Sequence, residues 1–457
     1  MPAELNPGLQ HLSLTATSIT RLGSSQFFDY TQLRKLDMSG NLIAVVQEHS
    51  LREQASLRTL NLSMNTLTEL TRNSLTGLRS LEHLDLSHNQ LTRLGTGLFS
   101  PLSALVSLRL DHNLLQVLSS DTFASLSSLA SLSLASNPLH PGVWMVRGSS
   151  LVETLSVLPT LTSLDLEDTG LQDLPSLHFL PNLEKLELGS NPLGVLLPTS
   201  LPGLERLQLL SLSNTSLASI PTLALSSLAA LQHLDLSSNP LLSLGPGTLP
   251  SLPSLLSLHL SHCPHLSLLH TPSLPLLQTL SISHLPTLQA WTSAPLPSLL
   301  HLNLEHSAPS SLPSTSLLPA LSSLHMSGRA WQCSCPLLPW QLLLLSLPPS
   351  QRDSPSCSSG SSLLATDLAK CSPSRHSPSL VLGLSIGVLL LLALLGAFTF
   401  HYRDRAALLV ARLRGCRTKE EGVAYQRQAS HQSEDYWLSL ARRAQAQPEG
   451  VVPVTEL

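Results

Sequence analysis

One register recurs fourteen times along this chain: leucine, two residues, leucine, one residue, leucine, two residues, then usually asparagine. It is cleanest at Leu57, Leu60, Leu62 and Asn65, then at Leu81, Leu84, Leu86 and Asn89, then at Leu105, Leu108, Leu110 and Asn113. The step between these units is 24 residues. A unit so short has no core of its own. It buries its leucines only by stacking on its neighbours, so the register predicts a parallel-stranded solenoid. Leucines at places one, four and six face the core. Strand side chains alternate, so places three, five, seven and eight face the inner, concave surface.

Period and pattern together are those of a leucine-rich repeat solenoid. The expected fold is an α/β solenoid, a horseshoe of about 14 repeats over residues 1–327. The repeats open at Leu9, Leu33, Leu57, Leu81, Leu105, Leu129, Leu161, Leu183, Leu207, Leu231, Leu255, Leu277, Leu299 and Leu321. One step, Leu129 to Leu161, is 32 residues, and its extra residues around His140 to Val157 predict a bulging loop. The ninth place holds Asn41, Asn65, Asn89, Asn113, Asn137, Asn191 and Asn239. A buried amide there both donates and accepts, tying coil to coil. Cys263 takes that place once, as a structural thiol. Past Leu277 the place reads Leu285, Ser307 and Arg329, and the ladder is expected to decay.

A solenoid needs caps. After the last repeat come Trp331, Cys333, Cys335, Pro336 and Trp340, then Cys357 and Cys371. Four cysteines allow three pairings. A four-cysteine zinc site is the rival reading, and a one-residue gap beside wide, unequal ones suits it poorly. The segment, 328–372, resembles the cysteine-rich C-terminal flanking module of extracellular leucine-rich repeat proteins. That resemblance implies the pairs Cys333–Cys357 and Cys335–Cys371, hence an oxidising compartment. No cysteine precedes Leu9, and Met1-Pro-Ala-Glu-Leu-Asn is no signal peptide. A longer parent chain with an N-terminal cap is the expectation.

Residues 373–378 read as a stalk. Ser377 to Phe400 carry no charge over 24 residues, about 36 Å as a helix and enough to cross a bilayer. The span is placed at 379–400. Arg403, Arg405, Arg412, Arg414, Arg417 and Lys419 follow it, which puts the 401–457 tail in the cytoplasm and the repeats outside. Cys416 is a candidate for palmitoylation, with an idle thiol as the plain alternative. The tail is too polar for a core of its own and reads as disordered. It ends Val454-Thr455-Glu456-Leu457, which resembles a class I PDZ ligand, with Thr455 and Leu457 as its contact residues.

The inner columns say most about binding. Middle repeats place Asp165, Glu167, Asp168 and Glu187 there as ligand-binding candidates. Later repeats place His262, His284 and His306 at place eight, with His259, His301 and His325 beside them. A metal site, a pH sensor and a plain polar face are the three readings of the histidines; the plain face is preferred, with no metal expected. Two sequons, at Asn61 and Asn214, fall on or beside the inner strands as glycosylation candidates. There is no nucleophile elbow, phosphate loop or zinc-protease motif, and no cofactor is implied. No nucleic-acid partner is expected, because the inner columns are not basic. The assembly resembles extracellular, single-pass leucine-rich repeat proteins, among them Toll-like receptor ectodomains and Capricious/Tartan-type adhesion receptors. It has no intracellular signalling domain. That resemblance implies a type I plasma-membrane receptor for protein ligands, its tail engaging a PDZ scaffold. The alternative is a tethered co-receptor or decoy that presents a soluble ligand.

Overall fold

The computed structural model describes residues 6–24, 26–139 and 151–368. Fourteen strands form one parallel sheet in strict chain order, from His11–Ser13 to Ser323–His325, so thirteen turns of chain separate first from last. Register is exact from coil to coil: Thr59 lies beside His83, Leu60 beside Leu84 and Asn61 beside Asp85. Each strand is three residues long with only its central leucine buried. The returning side carries two minor parallel sheets, one of Ser243–Leu244, Leu268–Thr271 and Ala290–Ser293, the other of Arg21–Leu22 and Val45–Val46.

The helical half of the expected α/β solenoid does not form. Within the repeats the described helices are Leu151–Leu155 and Thr222–Leu225, plus the 3-10 turn Thr315–Leu317. The returns are instead short turns, such as Tyr30 N–H to Phe27 O (3.0 Å) and Leu102 N–H to Phe99 O (2.9 Å). Serine, proline and threonine crowd these segments, and such residues favour turns over helix interiors. The fold is a β-solenoid with little helix.

The core is one continuous column of leucines at places one, four and six, with Phe27, Phe99, Phe123 and Trp291 filling its outer side. Beside it runs the asparagine ladder. Asn89 Nδ2 donates to Leu62 O, Leu86 O and Ser87 O (3.0, 3.1 and 3.1 Å), while Oδ1 accepts from Leu67 N–H (3.0 Å). Every polar atom of this buried amide is thus satisfied, and half its partners belong to the preceding coil. Threonine fills the ninth place at Thr17, Thr169 and Thr215, where the hydroxyl donates to its own coil and the next asparagine reaches back to it.

The expected decay after Leu277 is partial. Ser307 Oγ donates to Ile282 O and accepts from Leu285 N–H, both at 2.9 Å, so a hydroxyl does much of the amide's task. Cys263 is the free cysteine among the described residues, wholly buried, its thiol pushed up to about 11 chiefly by burial.

The cap closes the last coil. Cys333 and Cys357 are disulfide-bonded with Cα atoms 5.5 Å apart. Trp331 and Trp340 are buried and donate to Met326 O (2.8 Å) and Pro313 O (3.2 Å). The helix Leu338–Ser346 is pinned by Gln341, whose amide reaches Leu363 O and Thr366 O at 2.7 Å each. Asp353 supplies what a further strand would have supplied: its Oδ2 accepts from the N–H groups of Met326 (2.7 Å) and Ser327. In the preceding coil the first of these positions donates to the next coil's carbonyl, as Leu304 does to His325 O, and the second to a side chain of its own coil, as Glu305 N–H does to Asn303 Oδ1 (2.9 Å). The sheet edge is therefore blunted by a carboxylate. Cys371, partner of Cys335 in the implied pairing, lies outside the described residues, as do the 140–150 loop, the stalk, the span at 379–400, Cys416, Thr455 and Leu457. Among the described residues no helix is long and apolar enough to cross a membrane.

Candidate functional site: the inner face of the sheet

Each strand leaves the sheet through one tight turn, and the turn has a fixed shape. All fourteen place-eight residues, from Ala16 through His88, His112, Asp168 and Asn214 to Gly328, have positive φ. In each complete coil the place-eight N–H bonds forward to the next coil, as Met64 does to Ser87 O (3.0 Å) and His88 to Asp111 O (2.9 Å). The left-handed turn thus lines up one column of side chains along the whole face. Chemistry is written onto that rigid frame by side-chain choice alone.

In the middle coils the face forms an open groove of about 730 Å³ between the strands Ser107–Arg109 and Lys185–Glu187. The four predicted acids Asp165, Glu167, Asp168 and Glu187 all line it. Asp111, Arg109 and Lys185 line it too, and sequence reading missed these three. They stand at places seven, five and three, so the same column bookkeeping holds them. Arg109 grips Asp111 through Nε and Nη2 (both 3.1 Å) and approaches Asp85 (3.8 Å). Lys185 pairs with Glu187 at 2.8 Å.

The groove has more acid than base. Burial raises the Asp165 carboxyl above the ordinary carboxylate value; the Glu167 N–H and Ser133 hydroxyl oppose this, while Glu187 and Asp111 add to it. Burial likewise raises Glu167, helped by the charges of Asp165, Glu187, Asp168 and Asp235. Crowded carboxylates of this kind are stabilised by an incoming cation.

The later coils carry the histidines. His262 stacks on His284 at 4.2 Å between ring centres, and His284 on His306 at 4.4 Å, with planes 19° and 29° apart. His262 and His306 stand on opposite sides of His284, so the column is a stack and not a three-ligand chelate. Burial lowers the His284 pKa, as do the neighbouring His262 and His306, while Glu305 opposes them. The stack ends at Gly328, where a Cβ would come within 2.6 Å of the His306 ring. His259 is half-buried at place five, between Asp235 and Ser281. A second stack, His88 on His112 at 4.2 Å, was missed; two place-eight histidines 24 residues apart were its signal.

The sequon asparagines differ. Asn61 is half-buried in its strand, with Oδ1 accepting from Ser63 N–H (2.9 Å). Asn214 is exposed at place eight and lines the acidic groove.

Comparison with known proteins agrees with this architecture. No curated protein sequence matches the chain. A leucine-rich repeat protein of Leptospira interrogans has a similar structure at 26% identity, with a TM-score of 0.54, over 69% of this chain and 83% of that one. The leucine-rich repeat domain of APL1B is 20% identical over 77% of this chain and 93% of its own, with a TM-score of 0.47. An internalin of Listeria monocytogenes is 19% identical over 62% and 86%, with a TM-score of 0.43. The leucine rich repeat family profile matches residues 7–67, 32–91, 79–139, 159–217 and 205–264. These matches span more than half of the sequence, and the chain belongs to the leucine-rich repeat family, whose members are in general scaffolds for binding other proteins.

Proposed function

We propose that this chain is a cell-surface recognition receptor that binds a basic patch on a protein ligand through the acidic groove of its inner face. The observation that carries the reading is the groove itself. Five carboxylates, Asp111, Asp165, Glu167, Asp168 and Glu187, meet two cations, Arg109 and Lys185, on an open and rigid surface. An arginine or lysine of the ligand offsets the repulsion that raises Asp165 and Glu167. Binding therefore favours the ionised acids and weakens as pH falls through their raised pKa range.

The placement at the cell surface rests on the Cys333–Cys357 disulfide, which suits an oxidising compartment, and on the uncharged 377–400 segment followed by arginines. The last four residues supply the PDZ-type contact. An N-glycan on Asn214 would border the groove and limit approach from that side.

The test displays the full chain on cells. Antibodies against the repeats should label intact cells, and a panel of secreted and cell-surface protein ectodomains should yield a binder. Asp165→Asn with Glu187→Gln should weaken that binder at least about tenfold. Glu205→Gln, exposed and away from the groove, should leave it unchanged. Labelling only after permeabilisation sinks the topology. A binder indifferent to the groove variants sinks the site.

A further inference from the structure

We propose that Glu305, His325 and Asp353 form a divalent metal site of the zinc class that staples the C-terminal cap to the last two coils. The three come from separate pieces of chain. Glu305 leaves the strand His301–Asn303, His325 ends the strand Ser323–His325, and Asp353 belongs to the cap. One ligand atom from each lies within 4.8 Å of the other two, and all three residues are half-buried. A tetrahedral ion with bonds of roughly 2.0–2.2 Å holds its ligands about 3.4 Å apart, so modest side-chain rotation closes the set.

Asp353 itself points to a cation. Its Oδ2 is committed to the Met326 and Ser327 N–H groups. Its Oδ1 is sealed from solvent yet accepts no hydrogen bond from any described group. Buried carboxylate oxygens are costly in that state, and an ion satisfies them. The imidazole selects the metal class: calcium and magnesium prefer oxygen alone, whereas one nitrogen and two carboxylates suit zinc. Ser323 Oγ, 3.2 Å from His325 Nε2, helps to fix the ring's orientation, as hydrogen-bond partners of metal-binding imidazoles do.

Two other clusters have comparable spacing and lack this feature. In His88, Asp111 and His112, both Asp111 oxygens are already held by Arg109. In Asp165, Glu167 and Glu187, Lys185 and the Ser133 hydroxyl supply partners.

The experiment uses the full-length chain stripped with chelator, titrated calorimetrically with Zn2+ and, separately, with Ca2+. One zinc per chain is expected, with no matching calcium uptake. Zinc should also slow hydrogen exchange in peptides spanning Met326 to Trp331. His325→Gln and Glu305→Gln leave the Asp353 edge bonds intact, so both should fold; each should lower zinc affinity at least about 100-fold and abolish the exchange protection. The double variant His88→Gln, His112→Gln should keep both. The proposal falls if the chain takes up no stoichiometric zinc, or if both single variants bind it as the parent does.

Discussion

The front and rear coils of this solenoid are held together differently. From Asn41 to Asn137 a buried amide in every coil bonds back to the preceding one, and the inner face above it varies freely. From Cys263 onward that amide is gone. The thiol only faces Leu236 O and Ser261 O, at 3.7 and 3.8 Å, Leu285 offers no polar atom, and Ser307 restores a single hydroxyl. In these same coils the surface takes over: His262, His284 and His306 stack, and Ser261 bonds to Ser281 and Ser283 at 2.8 and 3.0 Å. Coupling has moved from the dry core to the wet face. A tie made of amides is indifferent to pH, whereas a tie made of imidazoles is not.

Several measurements bear on this contrast. The largest effect is expected for Asn113→Leu, which removes one of the two donors to each of Leu86 O, Leu110 O and Asp111 O and leaves Leu91 N–H without its acceptor. A loss of about 3 kcal/mol should appear in urea unfolding of the front coils, and an unchanged midpoint would mean the ladder is not what joins them. Cys263→Asn asks the converse. An amide placed among the carbonyls the thiol now faces should stabilise the rear coils by about 1 kcal/mol, visible as slower amide exchange there. Ser307→Ala should cost about 1 kcal/mol in the same assay, less than any asparagine.

A pH titration sharpens the contrast further. Burial, with His262 and His306, holds His284 below its ordinary value of 6.5. The unfolded chain takes up that proton first, so stability is full above pH 6.5 and falls as pH drops towards the lower folded value. Rear coils should thus lose exchange protection in acid before front coils do, and His284→Gln should flatten the difference. The smallest effect is expected at Arg93, whose pairing with Glu69 at 3.6 Å is exposed on both sides. Arg93→Ala should change the unfolding midpoint by no more than about 0.5 kcal/mol equivalent.

Much of this was legible because the repeat does the indexing. Leu60, Asn89 and Glu187 could be assigned a direction from position alone, since one register governs every coil. The acids Asp165, Glu167, Asp168 and Glu187 meet in one groove for that reason. Arg109 and Lys185 were equally indexable, at places five and three, and were passed over in favour of the acids on the same face. Thr169 and Thr215 hide as ladder members because a hydroxyl mimics only part of an amide. The missing helices were illegible from the leucines, which both kinds of return segment bury alike. Asp353 was unreadable for a different reason: it lies in non-repeating chain, 27 residues from the Met326 N–H it holds, and no period points to it.

The left-handed turn at place eight has a consequence for how this surface diversifies. Alanine, glycine, methionine, histidine, serine, aspartate and asparagine occupy that column, and none is branched at Cβ. Valine, isoleucine and threonine suffer most from such a backbone angle. The outermost row of the recognition surface is therefore spelled in a restricted alphabet. A directed-evolution library for new ligands should spend its randomised codons on places three, five and seven, and keep place eight to unbranched letters.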